Sequence, residues 1–330
     1  MNSDWFMDFL IQIKSAIDKC VEGRDEFSEI KNLYSRIKLL AICLNNDNIK
    51  NYAKSGDRIN DPKGHKFIIH RKKYNSLIKE EIDRLKCIEL YIPSVEISIL
   101  PLNSFFIQFT FTLAKPYLSK DDEEFYICEN PIRKDKVFKV PMVAGSNWKG
   151  NLRWTARQIR NLNPDRPDDD VVKRLFGNEK GEEKNFRRGR LNFYPTFFDQ
   201  IGLEVINPHD RKTKAGTQPI YIESVPIGAK GTFSLLYVPF DLLGKPMEVV
   251  KKEFEEDLNL IYEATKEMML IYGFSAKKSS GFGVVEDNFE KDGQPTGNFK
   301  MSSVARPFKN FVKLGQIIKD LKKLRGDENE

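Results

Sequence analysis

The stretch Pro141-Met-Val-Ala-Gly-Ser-Asn-Trp-Lys-Gly-Asn-Leu-Arg153 decides how this chain is interpreted. Gly145 permits a tight turn, and Ser146 or Asn147 is a good N-cap for a helix that begins there. The first amides of such a helix have no partner within it, and the helix dipole places positive charge at that end. The stretch therefore predicts a helix over about residues 146–162 whose N-terminus is suited to a phosphate group.

The same helix carries a column of cations. Lys149, Arg153, Arg157 and Arg160 follow one another at helical spacings, so they lie along one side. No acidic residue interrupts the column before Asp165, and like charges in such an arrangement repel one another unless they meet an anion. A solvated basic face is the alternative, but the Gly-Ser turn before the column favours phosphate contact.

A glycine-rich loop is the second informative stretch, Gly273-Phe-Ser-Ala-Lys-Lys-Ser-Ser-Gly-Phe-Gly-Val-Val285. Its glycines let the backbone approach a ligand closely. Its lysine and serine side chains can donate hydrogen bonds to a phosphate group. The loop has the spacing of neither a Walker loop nor a dinucleotide fingerprint, and a flexible connection is the alternative. The candidate contacts here are Lys277, Lys278, Ser279, Gly281 and Gly283.

Composition sets outer limits on the function. The chain has 330 residues, a formal net charge of +6 and a pI near 8.9, a mild bias that is compatible with a polyanion. The four cysteines form no CxxC pair, so no metal site is predicted, and they are expected to be buried or free thiols in a reducing cytoplasm. No apolar run approaches the ~20 residues of a membrane span, so no membrane association is expected.

The chain is predicted to divide into a helical segment at 1–92, an α+β domain at 93–300 and a basic helical tail at 301–330. A polar stretch at 45–66 is predicted to be a loop, and strands are predicted at 95–99, 104–113, 189–198, 201–206, 220–225 and 232–239. A long amphipathic helix is predicted at 248–272. The order strand, helix, strands, helix, strand fits a ferredoxin-like fold, similar to RNA-recognition motifs, with inserted loops.

The motifs resemble those of a known family. Gly-Ser-x-x-Lys-Gly-x-x-Arg at 145–153 is followed by Leu-Phe-Gly at 175–177, Gly-Arg-Leu-Asn-Phe at 189–193 and Lys-x-Ser-x-Gly-Phe-Gly near 277–283. Together they resemble the RAMP superfamily of CRISPR-associated proteins over roughly residues 95–290. The Gly-Ser-x-x-Lys-Gly helix looks like the backbone-subunit group of type III (Csm or Cmr) effector complexes.

The resemblance implies partners and contacts. It implies a ferredoxin-like palm and a groove that holds CRISPR RNA, with target RNA and other RAMP subunits as further partners. Ser146, Lys149 and Arg153 would contact guide RNA phosphates, with Gly145, Asn147 and Arg157 on the same helix. Because the helical segment at 1–92 is not part of the common pattern, a terminal, capping-type subunit is favoured over the repeated one.

An acidic loop offers a second function. Asp121 and Asp122 stand in the loop after the first strand, where the repeated subunit of the resembled complexes carries an aspartate that cuts target RNA. A carboxylate there could bind Mg²⁺ or help activate a ribose 2′-hydroxyl. A solvated acidic turn is the alternative. No cofactor is expected except Mg²⁺, and Mg²⁺ is expected only if the loop cleaves RNA.

Two further basic segments are candidates for RNA contact. His209 and Arg211 lie between two predicted strands, where a thumb that wedges between bases is weighed against a basic turn. Arg187 and Arg188 stand beside Phe186, an arrangement typical of single-stranded RNA binding. The leading hypothesis is thus a non-catalytic RNA-binding subunit in the cytoplasm, with an endoribonuclease or a protein-binding scaffold as alternatives.

Overall fold

The structure is a computed structural model that describes residues 13–56, 62–70, 72–123, 125–163, 165–178, 187–207, 220–302 and 304–327. Within these ranges the α-helices, numbered along the chain, are α1 Ile13–Glu22, α2 Leu33–Leu40, α3 Asp47–Ser55, α4 Gly64–His70, α5 Lys72–Cys87, α6 Gly145–Ile159, α7 Asp170–Phe176, α8 Met247–Glu267 and α9 Phe311–Asp327. One turn of π-helix, Met268–Tyr272, extends α8.

Within the described ranges the strands form one larger antiparallel sheet and three small pairs. They are β1 Phe105–Thr112, β2 Met142–Val143, β3 Leu191–Phe193, β4 Thr196–Phe197, β5 Gly202–Ile206, β6 Ile220–Ser224, β7 Lys230–Tyr237, β8 Glu290–Lys291, β9 Gln294–Pro295, β10 Gly297–Met301 and β11 Val304–Phe308. The five-stranded sheet has the order β11-β10-β1-β7-β3, and β2–β4, β5–β6 and β8–β9 are the pairs. Mixed helix and antiparallel sheet confirm the predicted α+β class.

The chain divides into two compact units. The first unit lies within Met1–Leu85, Leu118–Pro141 and Asp199–Pro226, and the second lies within Lys86–Tyr117, Met142–Phe198 and Ile227–Glu330. The division into 1–92, 93–300 and 301–330 stays a prediction.

The first unit is mainly helical, and one of its helices corrects the sequence analysis. Residues 47–55, predicted to be part of a polar loop, form α3. Asn46 caps this helix with its side chain, while Ile49, Tyr52 and Ala53 bury one face. The apolar residues recur at helical spacing, but the many Asn and Lys residues between them hide the pattern.

A buried carboxylate joins three segments of the first unit. Glu223 on β6 accepts hydrogen bonds from His65 (3.0 Å), from Tyr126 and from the backbone amide of Ile132 (3.1 Å). The ammonium group of Lys134 forms an ion pair with the same carboxylate. Burial alone would raise the pKa of Glu223, but Lys134 and His65 outweigh burial and lower that pKa to about 2.

The sheet of the second unit is organised by β1. Residues Phe105 to Thr112 pair with β7 on one side, and the first four of them pair with β10 on the other. One face of β1 is aromatic: Phe105 stacks on Tyr237 with ring centroids 4.7 Å apart, and Phe109 packs on Phe233 at 5.3 Å. Burying each such ring contributes up to about 3 kcal/mol.

Two helices cover this aromatic face. Trp148 of α6 packs against Phe233 with centroids 4.9 Å apart, and Phe254 of α8 packs edge-on against Phe105 at 6.1 Å. The indole N–H of Trp148 donates to Thr196 at 3.0 Å, so this buried side chain has its polar atom satisfied. Helix α6 is thereby fixed on the sheet by its core side, which leaves its polar side outward.

A network of buried charges joins β3 to α8 and α7. Arg190, just before β3, donates to Asp257 at 2.7 Å and to Asp241 at 2.7 Å. Arg174 of α7 donates to the other oxygen of Asp257 at 2.7 Å, and the Tyr237 hydroxyl also donates to this carboxylate. Both arginines therefore meet at the buried carboxylate of Asp257, while Asp241 pairs with Arg190 at the surface.

Several boundaries differ from the prediction. Residues 95–99 form no strand: Ile97–Ile99 is a short 3₁₀ turn. The segment 189–198 is broken into β3 and β4, and the short helix α7 was not predicted. Among the described residues, no helix is both long and apolar enough to span a membrane. All four cysteines are free, and three of them are buried.

Candidate nucleic-acid interface

Helix α6 begins one residue earlier than predicted and without a side-chain cap. Its N-cap is Ala144, which has no side-chain acceptor, so the predicted capping by Ser146 or Asn147 is wrong. Both residues instead stand exposed in the first turn. The helix can start there because Gly145 has no side chain: a Cβ atom at this position would lie 2.7 Å from the Phe193 carbonyl oxygen of β3. The uncapped end leaves amides of the first turn without a side-chain acceptor, as a bound anion requires.

The cation column of α6 meets an anion inside the chain. Arg153 and Arg157 each form an ion pair with one oxygen of Asp168, whose side chain is buried. Arg157 also donates to the carbonyl oxygens of Asn163 and Arg166, at 2.8 and 2.7 Å. The self-repulsion of the column, from which an external phosphate was inferred, is thus relieved in part by Asp168.

Lys149 differs from the arginines of the column in its lack of a described carboxylate partner. It is partly buried and forms no ion pair with a carboxylate among the residues that the structure describes. Burial, and after it the charge of Arg153, lower the pKa of Lys149. An ammonium group that loses water without gaining a counter-ion is a site where an anion would be stabilised.

The glycine-rich loop lies against another side of α6. The side-chain amide of Asn151 donates to the Phe274 carbonyl at 3.4 Å, and Lys278 lies 4.4 Å from the ring centroid of Trp154. Because successive helical residues are turned by about 100°, Trp154 stands beside the Lys149 column and outside the core stripe. The structure thus brings the two sequence motifs together, on neighbouring sides of one helix.

Glycines close the loop on itself. Gly273 and Gly283 both have positive φ angles, of 73° and 76°. The Phe274 amide donates to the Gly283 carbonyl at 3.2 Å, and a Cβ atom on Gly283 would lie 2.7 Å from the Ser275 nitrogen. The two ends of the loop approach each other closely, so Lys277, Ser279 and Gly281 lie at its outer tip. Lys277 itself has a positive φ of 60°.

The remaining residues that were predicted to contact RNA fall into three groups. Arg187 is paired with Asp170 at 3.0 Å and with Asp241 at 2.9 Å. Arg188 is exposed, and the described residues provide it with no ion-pair partner. His209 and Arg211 lie outside the described residues.

The two candidate catalytic aspartates differ in environment. Asp121 is buried, and its carboxylate accepts from the amides of Asp122 (2.9 Å) and Lys134 (3.2 Å). Asp122 is 78% exposed and lies 3.4 Å from the ammonium of Lys136. Asp121 therefore holds its own loop together, whereas Asp122 faces solvent. Within the described ranges no group of three His, Cys, Asp or Glu side chains is placed to hold a metal ion.

Sequence reasoning missed two participants in this region. Trp154, 40% exposed, was counted neither as core nor as a ligand contact, although its place outside the apolar stripe of α6 was a usable signal. Asp168 was missed because it lies beyond the end of the helix, and nothing in the linear pattern shows that the chain turns back there.

The chain is similar to known proteins over this same region. A family model described as the RAMP superfamily matches residues 110–286. Among curated proteins, the CRISPR system Cms endoribonuclease Csm3 of Streptococcus thermophilus is 30% identical over 178 residues, which cover 49% of this chain and 75% of that protein.

Solved structures give a weaker likeness. A type III-B Cmr-beta complex bound to cognate target RNA matches with a TM-score of 0.49 and 17% identity, over 88% of this chain and 99% of that one. A Csm3–Csm4 subcomplex of a type III-A interference complex matches with a TM-score of 0.40 and 13% identity, over 66% and 95%. The family model spans more than half of the 330 residues, and it ends just beyond the glycine-rich loop; the chain belongs to the RAMP superfamily.

Proposed function

We propose that the chain is an RNA-binding structural subunit of a type III CRISPR ribonucleoprotein effector complex in antiviral defence. Its partners would be CRISPR RNA, target RNA and other RAMP subunits. The observation that carries the proposal is Lys149: a half-buried cation without a carboxylate partner in the described chain, at the uncapped start of α6. Membership of the RAMP superfamily and the similarity to Csm3 support it. The proposal places the chain in the cytoplasm, with the guide RNA.

The proposed fold is ferredoxin-like, with inserted loops and an N-terminal helical segment. The strand order β10-β1-β7-β3, all antiparallel, corresponds to the 4-1-3-2 order of that module. Helices α6 and α8 follow β1 and β7 in the chain and pack on the same aromatic face. Strand β11 would then be an addition at one edge. We retain residues 1–92, 93–300 and 301–330 as the proposed domains.

The proposed RNA path starts at the first turn of α6. Gly145, Ser146 and Asn147 would present the uncapped end to a phosphate, and Lys149 would neutralise it. Lys277, Lys278, Ser279 and Gly281 would line the path on the loop side, and the buried Gly283 would support the loop behind them. Arg153 and Arg157 would contribute the net positive charge that remains because two guanidinium groups share the one carboxylate of Asp168. Arg188 would add a separate contact.

The test measures guide RNA retained by the complex assembled with Lys149→Ala. Removing one phosphate contact lowers RNA affinity about uniformly across sequences and makes the salt slope shallower by about 1. Lys291→Ala, which removes an exposed lysine of β8, is the control for the loss of charge. Equal RNA content and equal salt dependence in the two variants would end the proposal.

A second candidate, cleavage of target RNA, is favoured by the similarity to Csm3, an endoribonuclease that is 30% identical to this chain. Asp122 would be the reacting carboxylate because it is exposed, with Mg²⁺ as the expected cofactor. Incubating the complex with matched RNA and Mg²⁺ tests this. Cleavage that disappears with Asp122→Asn and survives Lys136→Ala supports the enzyme; an uncut target with the unaltered chain excludes it.

A further inference from the structure

An open groove lies beside Trp154 in the second unit. It has a volume of about 600 Å³ and is lined by the Trp154 ring, by Ile271 and Tyr272 of the π-helical turn, and by Ser275 to Ser279 of the glycine-rich loop. Two of its apolar side chains are unusually accessible: Trp154 is 40% exposed and Ile271 is 65% exposed. A large aromatic ring at the wall of an open groove is costly in water and is a common mark of a binding surface.

The ring is held in a fixed orientation. Trp154 and Tyr272 meet edge to face, with centroids 5.1 Å apart and planes 88° apart. The bond from Asn151 to the Phe274 carbonyl, three residues before Trp154 on the helix, fixes the loop against the same side of α6. The indole plane therefore has two neighbours that set its angle, which is what a stacking surface needs.

One face of the ring is covered by a cation. The Lys278 ammonium lies 4.4 Å from the Trp154 centroid, and burial lowers the pKa of this lysine. Neither Lys277 nor Lys278 forms an ion pair with a carboxylate in the described part of the chain. The groove thus combines an aromatic plane with two cations that no described carboxylate neutralises, and no acidic residue is among the described residues that line it.

We propose that Trp154 is the stacking platform for one unpaired nucleobase of the bound RNA, and that Lys278 and Lys277 hold the phosphates next to that base. The base takes the place of the Lys278 ammonium over the ring, and the ammonium turns to a phosphate. This inference rests on the proposed function and adds to it a contact with the base itself.

The exchange is favourable in both of its parts. A nucleobase covers the ring with far more area than an ammonium group, and stacking of bases on aromatic side chains is stronger than an exposed cation–π contact. The displaced ammonium gains a charge-assisted partner, which none of the described residues provides in the free chain. Because every base has a π-face, the contact is expected to tolerate any sequence, as a guide-binding protein requires.

The test uses the purified full-length chain and two short single-stranded probes, an oligouridylate and an oligoribose-phosphate of the same length without bases. Trp154→Ala is expected to weaken binding of the oligouridylate about tenfold, the value of one stacked base, and to leave binding of the base-free probe unchanged. Trp154→Phe should recover most of the affinity. Trp154→Leu, which keeps apolar bulk without a π-face, should not.

The outcomes separate the two proposals. Lys149→Ala weakens both probes if the proposed function holds, and a wild-type chain that binds neither probe rejects that function and the platform together. Oligouridylate binding that is equal in wild type and Trp154→Ala, or fully kept in Trp154→Leu, overturns the platform alone. Loss of incorporation into the complex by Trp154→Ala with unchanged RNA affinity would assign the groove to a protein neighbour and also overturn it. Unchanged circular dichroism of each variant verifies that α6 is intact.

Discussion

The Nε2 atom of His65 lies 3.0 Å from the carboxylate of Glu223, and neither side chain is accessible to solvent. A charge in such a place is stable only when it is paired and hydrogen-bonded. Glu223 meets this condition through Lys134, Tyr126 and His65, so three separate segments of the first unit depend on one carboxylate.

Glu223→Gln is expected to destabilise the chain by about 3–5 kcal/mol, because the substitution leaves the Lys134 ammonium buried without its partner. The pKa of Glu223 is lowered from 4.5 to about 2 in the folded chain. The stabilisation is therefore complete above about pH 4.5 and is lost as the pH falls toward 2. Urea unfolding between pH 3 and pH 7 measures this; the difference from wild type should shrink toward pH 3. Glu248→Gln, at an exposed carboxylate, should show no such loss.

Asp168→Asn should lower the free energy of unfolding by about 1–3 kcal/mol, since Arg153 and Arg157 lose a buried partner but keep some access to water. The same change removes the carboxylate charge that Arg153 and Arg157 share, and it should raise RNA affinity at low salt. Asp165→Asn, at an exposed site with the same change of charge, is the control. Equal RNA affinity in the two variants would remove Arg153 and Arg157 from the proposed RNA path.

Gly189→Ala is expected to destabilise the fold by about 1–3 kcal/mol, because its Cβ atom would lie 2.6 Å from the Leu175 carbonyl oxygen, where backbone cannot easily shift. Gly150→Ala is the matched comparison: apart from its chain neighbours and its own helix backbone, no described atom lies within 4 Å of the added Cβ. Alanine there should raise stability by about 0.5–1 kcal/mol through helix propensity. Thermal unfolding of both variants checks the opposite signs.

Thiol labelling of the native chain should modify Cys87 alone, since it is the exposed cysteine, and four thiols should react after unfolding. Burial raises the pKa of Cys20 to about 12 and that of Cys43 to about 11, which removes the reactive thiolate. Cys87→Ser should abolish native labelling. Rapid labelling of that variant would show that a buried cysteine becomes accessible.

The local parts of this structure were within reach of the sequence, and the long-range parts were not. Helix α6 and strand β1 follow from periodicity and side-chain type, which act between neighbours in the chain. Helix α3 was missed because polar residues obscure its buried face. Asp168, Glu223 and Asp257 gain their roles from partners distant in sequence, and no local pattern shows which cation will meet which carboxylate. The candidate site was recognised in its motifs, while the aromatic ring between them was overlooked.

The lack of room for a Cβ atom between Gly145 and the Phe193 carbonyl oxygen has a consequence for engineering. Exposed positions of the first turns of α6, such as Ser146 and Gly150, could be varied in a library with little risk to the scaffold, whereas Arg153 and Arg157 are needed to neutralise the buried Asp168. Position 145 allows no such freedom. Any larger residue there would push the start of α6 away from β3 and change the direction of every charged side chain that follows on the helix. To change which ligand this surface binds, the exposed positions of α6 should be varied and Gly145 should be kept.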